Sequence, residues 1–188
     1  MSHREVTPES FAKTVEKHVL TVLHNVGVYR HIRLADPATG NRSFNIITWP
    51  GYLAYSGDMG DYVFARTKDM FEFFRGHAPN LSYWAEKVQA QDKCDGVEEY
   101  SPAKAKEYFY ETLKEAYPGT GPDSDDPDFD QDEASVRADI TALGLDAFDD
   151  LWEADFKDYT FRFQWCCHAI PYAIAMFDAW EKEQEAKP

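Results

Sequence analysis

The sequence predicts an α+β fold: a four-stranded antiparallel meander at about 28–66, packed with an N-terminal helix and a C-terminal helical half. Three observations predict it. Apolar residues near the N-terminus recur at helical spacing. Residues 28–66 break into short β-branched and aromatic runs, separated by Gly, Pro and Asp turns. Beyond them the chain returns to helix-like segments. At 188 residues, 44% hydrophobic and 15% aromatic, there is apolar material for one domain spanning 1–188, which argues against global disorder.

The elements follow in order. Thr7 is placed to cap a helix with Pro8 at its first position. Phe11, Val15, Val19, Val22 and Val26 then predict an amphipathic helix to about Asn25, with His18 and His24 near its edges and Gly27 ending it. Four strands are expected at Val28–Leu34, Ser43–Trp49, Tyr52–Ser56 and Tyr62–Arg66, joined by turn residues such as Pro50-Gly51 and Gly57-Asp58-Met59-Gly60-Asp61. Lys68–Arg75 reads as a short helix stopped by Gly76. Asn80–Asp92, Ser101–Ala116 and Asp132–Leu143 read as helices, and 118–131 as an acidic loop. Asp146–Asp155 reads as one more short helix, with Phe148, Leu151 and Trp152 inward. The last segment carries two signals. Tyr159, Phe161, Phe163 and Trp165 alternate like a strand, whereas Trp165, Ala169, Tyr172, Met176 and Trp180 fit a helix. A long helix from about Phe163 to Glu183, kinked or restarted at Pro171, is favoured.

The net charge of −15 is unevenly distributed. Residues 122–156 hold 13 acids and one base, Arg137, a net of −12. The acids are Asp123, Asp125, Asp126, Asp128, Asp130, Asp132, Glu133, Asp139, Asp146, Asp149, Asp150, Glu153 and Asp155. On the expected helix, Asp146, Asp149, Asp150 and Glu153 would share one face, at a cost of roughly 0.2–0.5 kcal/mol per like-charged pair. Duplex DNA carries about one charge per 1.7 Å of axis. A dense carboxylate array can therefore compete for a Lys/Arg groove, and these thirteen residues form the expected partner-binding set. The competing reading is a solubilising face with a disordered acidic loop. A true EF-hand is rejected, with loose cation binding by the loop left as a third reading: Asp126, Asp128 and Asp130 alternate suitably, but Gln131 replaces the required Gly and Arg137 the bidentate Glu.

The other constellations are weaker. Cys94, Cys166 and Cys167 are odd in number and include a vicinal pair, which fits reduced thiols. Adjacent helical cysteines diverge by about 100°, which disfavours a shared zinc at Cys166-Cys167-His168. No metal or cofactor is expected. The glycines around Asp58 and Asp61 fit a hairpin better than a phosphate loop. Arg30, His31, Arg33 and Arg42 are expected to solvate an open sheet face. An enzyme using Asp58 or Asp61, or a Cys/His pair, and a structural phage protein are the alternative readings. No apolar run reaches 18 residues, and residues 1–9 lack a signal-peptide core, so neither a membrane contact nor export is expected.

ITWPGYLAYSGDMGDYVF at Ile47–Phe64, DMFEFF at Asp69–Phe74 and YTFRFQWCCHAI opening Tyr159–Trp180 resemble a group of uncharacterised phage and prophage proteins. The resemblance implies a mobile-element setting in the cytoplasm of a bacterial host, where small acidic proteins inhibit defence systems by imitating DNA. It points to a non-enzymatic anti-CRISPR inhibitor of a basic, nucleic-acid-binding complex, with a type I CRISPR surveillance complex as the first target. Direct nucleic-acid binding is not expected, and a homodimer is compatible with this reading.

Overall fold

The computed structural model describes residues 5–93, 96–123 and 126–187. The chain divides into two compact units, Met1–Val97 with Tyr159–Pro188, and Glu98–Asp158. Each has its own hydrophobic core.

The first unit opens with α1 (Pro8–Val15), closed at its start by a reciprocal cap. The Ser10 N–H donates to Thr7 Oγ1 at 3.1 Å and the Thr7 N–H to Ser10 Oγ at 2.9 Å. The helix expected to reach Asn25 stops at Val15, and Val19–Val26 is a strand, β1. The apolar spacing satisfies a helical template, but the segment also supports an extended register. There Leu20 and Val22 turn inward while the chain pairs antiparallel with β2 (Tyr29–Ala35) around Gly27, whose φ of +61° lies in the left-handed region.

Next come β3 (Phe44–Trp49), β4 (Tyr52–Gly57) and β5 (Gly60–Ala65). α2 (Met70–Phe74) and α3 (Leu81–Ala85) follow. The helix expected over Asn80–Asp92 ends early, and Val88–Gln91 forms β6 on the edge beside β5. The fold class is α+β as expected, with six strands rather than four, in the order β1-β2-β3-β4-β5-β6 and antiparallel throughout.

One sheet face carries Ile32, Leu34, Phe44, Ile46, Leu53, Tyr55, Tyr62 and Phe64, all buried. α6 (Phe161–Glu185) packs on it. This helix takes the two-signal segment from Phe161 onward, with Pro171 inside it, while Tyr159 ends a short strand. Phe163, Gln164, Trp165, Cys166 and Cys167 are buried in succession, so the helix start is covered all round, which blurs its sequence periodicity. Trp165 joins α1 to the sheet, with its ring 5.1 Å from Phe11 and 5.5 Å from Phe44. Burying a large apolar side chain of this kind contributes about 1.5–3 kcal/mol. Gln164 sits in this core because both ends of its amide are used. Its Oε1 accepts the Val6 N–H at 3.0 Å, and its Nε2 donates to the Tyr159 carbonyl at 2.8 Å.

The second unit contains β7 (Glu98–Tyr100), α4 (Pro102–Ala116) and α5 (Glu133–Ala142), and its last strand is β8 (Lys157–Tyr159), paired with β7. Ser101 and Asp132 cap the two helices. Ala105, Phe109, Leu113, Phe129, Val136, Ile140, Phe148, Leu151 and Phe156 form its core. The α-helix expected over Asp146–Asp155 is not formed. Two single 3₁₀ turns, Asp146–Phe148 and Leu151–Glu153, stand in its place. Neither has a side-chain N-cap, and a continuous helix would set Asp146 against Asp149 and Asp150, and both of these against Glu153, as like charges three and four residues apart. Phe148 and Leu151 turn inward as expected, but Trp152 points outward at 75% exposure.

Candidate functional site: the acidic second unit

The charge boundary coincides with the structural one. Glu98–Asp158 holds 19 acids and five bases, a net of −14, and the rest of the chain 15 acids and 14 bases, a net of −1. The acids do not all do the same work.

Asp126 is half-buried, and its carboxylate accepts the Tyr110 hydroxyl at 2.6 Å and the Asp123 N–H at 2.8 Å. The Tyr110 phenol is pushed up to about 12, mainly by that hydrogen bond. Phe129 is buried against Phe109, and its carbonyl accepts the Tyr100 hydroxyl at 3.1 Å. The described part of the Asp-rich loop is thus pinned by an aromatic plug and two tyrosine hydroxyls.

Glu133 is also internal. It accepts Arg137 Nε at 2.9 Å and Nη2 at 2.7 Å, one helical turn away. Arg137 donates further to the Leu151 carbonyl at 2.6 Å and the Ala154 carbonyl at 2.7 Å, and lies over the Phe156 ring at 4.3 Å. The single base of residues 122–156 therefore clamps the second 3₁₀ turn to α5. Asp132 caps α5, and the Ser135 hydroxyl and N–H hold its carboxyl below the ordinary aspartate range.

The outward-facing set is smaller than the sequence suggests. Asp123, Asp128, Asp130, Asp132, Asp139, Asp146, Asp149, Asp150, Glu153 and Asp155 are exposed, Asp126 and Glu133 are not, and Asp125 lies outside the described residues. Asp146, Asp149, Asp150 and Glu153 are all exposed, but they do not share one α-helical face. Beside them is a cleft of about 400 Å³ lined by Ile140, Leu145, Phe148, Asp149, Leu151 and Trp152, among others. Sequence reasoning missed this pairing of an exposed tryptophan with carboxylates. The Leu151-Trp152-Glu153 context reads as amphipathic helix until the 3₁₀ turn is known.

The alternative centres sit in the first unit. Asp58 is a turn residue whose Oδ2 accepts the Ser43 N–H at 3.3 Å. Asp61 is exposed on β5. A polar cleft of about 570 Å³ brings Asp58 near His18, Asp36 and Arg42. His18 is buried there, its Nε2 at 3.0 Å from the Arg42 carbonyl. Cys166 and Cys167 are buried free thiols, and burial pushes both well above the usual thiol range. Cys94 lies outside the described residues. His168 Nε2 lies 2.9 Å from the Val6 carbonyl. Among the described residues no group of three or more His, Cys, Asp or Glu could hold a metal ion, and no helix is long and apolar enough to cross a membrane. Comparison with protein-family models, curated proteins and solved structures finds no match.

Proposed function

We propose that the chain is a non-enzymatic acidic decoy, whose second unit occupies a basic, nucleic-acid-binding surface of another protein. The observation that carries this reading is the segregation of charge: net −14 on Glu98–Asp158 against −1 elsewhere. A chain acidified for solubility or salt tolerance would spread its acids over both units. Carboxylates at high density substitute for phosphates in a Lys/Arg groove, and Trp152 beside Asp149 offers the apolar anchor that specificity requires. The phage resemblance favours a bacterial defence complex as the partner and anti-CRISPR as the function, with a type I CRISPR surveillance complex as the first target to test.

The test is a competition titration against that purified complex with duplex DNA. Mutual exclusion with DNA, and affinity that drops steeply with salt, are expected. Replacing Asp146, Asp149, Asp150 and Glu153 by Asn or Gln should abolish competition while stability holds or rises. Trp152→Ala should weaken binding by about 2 kcal/mol or more without lowering the melting temperature. Simultaneous binding of DNA and this protein, with little salt effect, would rule the decoy out.

A further inference from the structure

The sheet face turned away from α6 exposes large apolar side chains. Its residues alternate with the buried ones along each strand: Ile47 and Trp49 flank buried Thr48, and Ala54 and Ser56 flank buried Tyr55. An antiparallel sheet commonly leaves one face to water, and that face is then polar. Here it is not. Val19, Val26, Tyr29, Ile47 and Tyr52, five of the exposed large hydrophobic side chains among the described residues, belong to this face. Trp49 and Tyr52 stack across neighbouring strands with ring planes 12° apart. On β2 to β5 only two formal charges interrupt the face, Arg33 on β2 and Asp61 on β5.

Those two charges are related by the register. One cross-strand row runs Arg33, Asn45, Ser56, Asp61. The next runs His31, Ile47, Ala54, Val63. A two-fold axis parallel to the strands, between β3 and β4, exchanges β3 with β4 and β2 with β5 and moves no residue along its strand. It sets Arg33 over Asp61 of a second copy, twice, and Ile47 over Ala54. The other in-plane two-fold, running across the strands, lays Arg33 over the Tyr29 end and leaves four charges desolvated without partners, which is unfavourable. Strands about 4.8 Å apart and about 3.3 Å per residue give the six-stranded face roughly 600 Å², close to the ~800 Å² per partner of a standard stable interface.

We propose that this face is a self-association surface, on which two copies stack as a symmetric two-sheet sandwich with reciprocal Arg33–Asp61 pairs. The occupant is a second copy because the complementary charges lie on the same face, at positions one symmetry operation relates. This assignment concerns the first unit alone and does not rest on the decoy reading.

Analytical ultracentrifugation of the full chain, from low to high micromolar concentration, tests it. The wild type should dimerise, and Ile47→Asp should be monomeric. Arg33→Asp and Asp61→Arg each set like charges across the axis twice, and should each weaken the dimer roughly tenfold or more. The double swap, Arg33→Asp with Asp61→Arg, should restore it. Circular dichroism establishes that each variant is folded, and the charge swaps decide the matter if Ile47→Asp is not. A wild type that stays monomeric throughout overturns the proposal. So does a dimer indifferent to these changes, or one that the double swap fails to restore.

Discussion

Arg30 illustrates how one residue's face decides its role. It was expected among the solvated basic residues of β2, yet strand alternation puts it on the face of Ile32 and Leu34. Its side chain is 11% exposed, and Nη1 and Nη2 donate to the two Asp69 carboxylate oxygens at 2.8 and 2.9 Å. The guanidinium lies 4.6 Å from the Phe71 ring centroid, and Asp69 also caps α2 through the Phe71 N–H. Burial pushes the Asp69 carboxyl up, but the bonds from Arg30 and Phe71 together outweigh it and hold the group below the ordinary range. A depressed folded pKa gives stability that is present above the unfolded value and lost as pH falls through the folded one. Asp69→Asn keeps the cap and removes the charge. Near neutral pH it should cost about 1.5–3 kcal/mol, the range for hydrogen bonds to charged groups. The difference from wild type should narrow between neutral pH and about pH 3, below the ~3.9 of an unperturbed aspartate, and close fully only below the depressed folded value. Urea melts at both pH values check this. A deficit independent of pH would mean that shape, not charge, matters at this site.

At the scale of elements, the legible parts were those with local punctuation. Thr7-Pro8 starts α1 and Ser101-Pro102 starts α4, each through a cap written in two residues. The meander of β2 to β5 was legible because Gly and Pro turns bound each strand. β1 and β6 were not. Val15, Val19, Val22 and Val26 satisfy helical spacing, and only pairing with β2, a non-local event, selects the extended form. In the candidate site, the acidic composition was legible, but the structural role of Asp126 depends on Tyr110 from another element, whereas that of Glu133 rests on Arg137 one turn along the same helix. Turn glycines divide in the same way. Gly57 needs no positive φ, but a Cβ there would stand 2.2 Å from the Ser43 carbonyl oxygen and 2.7 Å from Phe44 Cα. These are backbone atoms of the paired strand and cannot move aside. Gly57→Ala should therefore destabilise the first unit by about 2 kcal/mol or more, at or above the middle of the range for overpacking. Chemical denaturation followed by the tryptophans measures it, and a neutral result would show that the β3–β4 ladder yields locally.

At the scale of the whole molecule, the charge imbalance should make stability and, on the proposed decoy reading, binding respond to salt in opposite directions. The second unit folds with a net charge of −14 around a small core of its own, so its compact state repels itself. Its acids reach few internal cations, since Arg137 is engaged with Glu133 and two carbonyls. The first unit, at net −1, has no such strain. Raising ionic strength from about 0.01 to about 0.15 M shortens the Debye length from roughly 30 to roughly 8 Å. Repulsion among the exposed aspartates is then screened, while the buried contacts of both cores are untouched. Amide hydrogen exchange should accordingly slow in α4 and α5, with little change in β2 to β5. Over the same range, the occupation of a basic groove that the proposed function requires should weaken. The opposite signs matter, because a loss of binding in salt could otherwise be ascribed to unfolding of the acidic unit. Parallel slowing in both units would refer the effect to general salting-out. Faster exchange in α4 and α5 would mean that ion pairs, rather than repulsion, dominate the electrostatics of this unit.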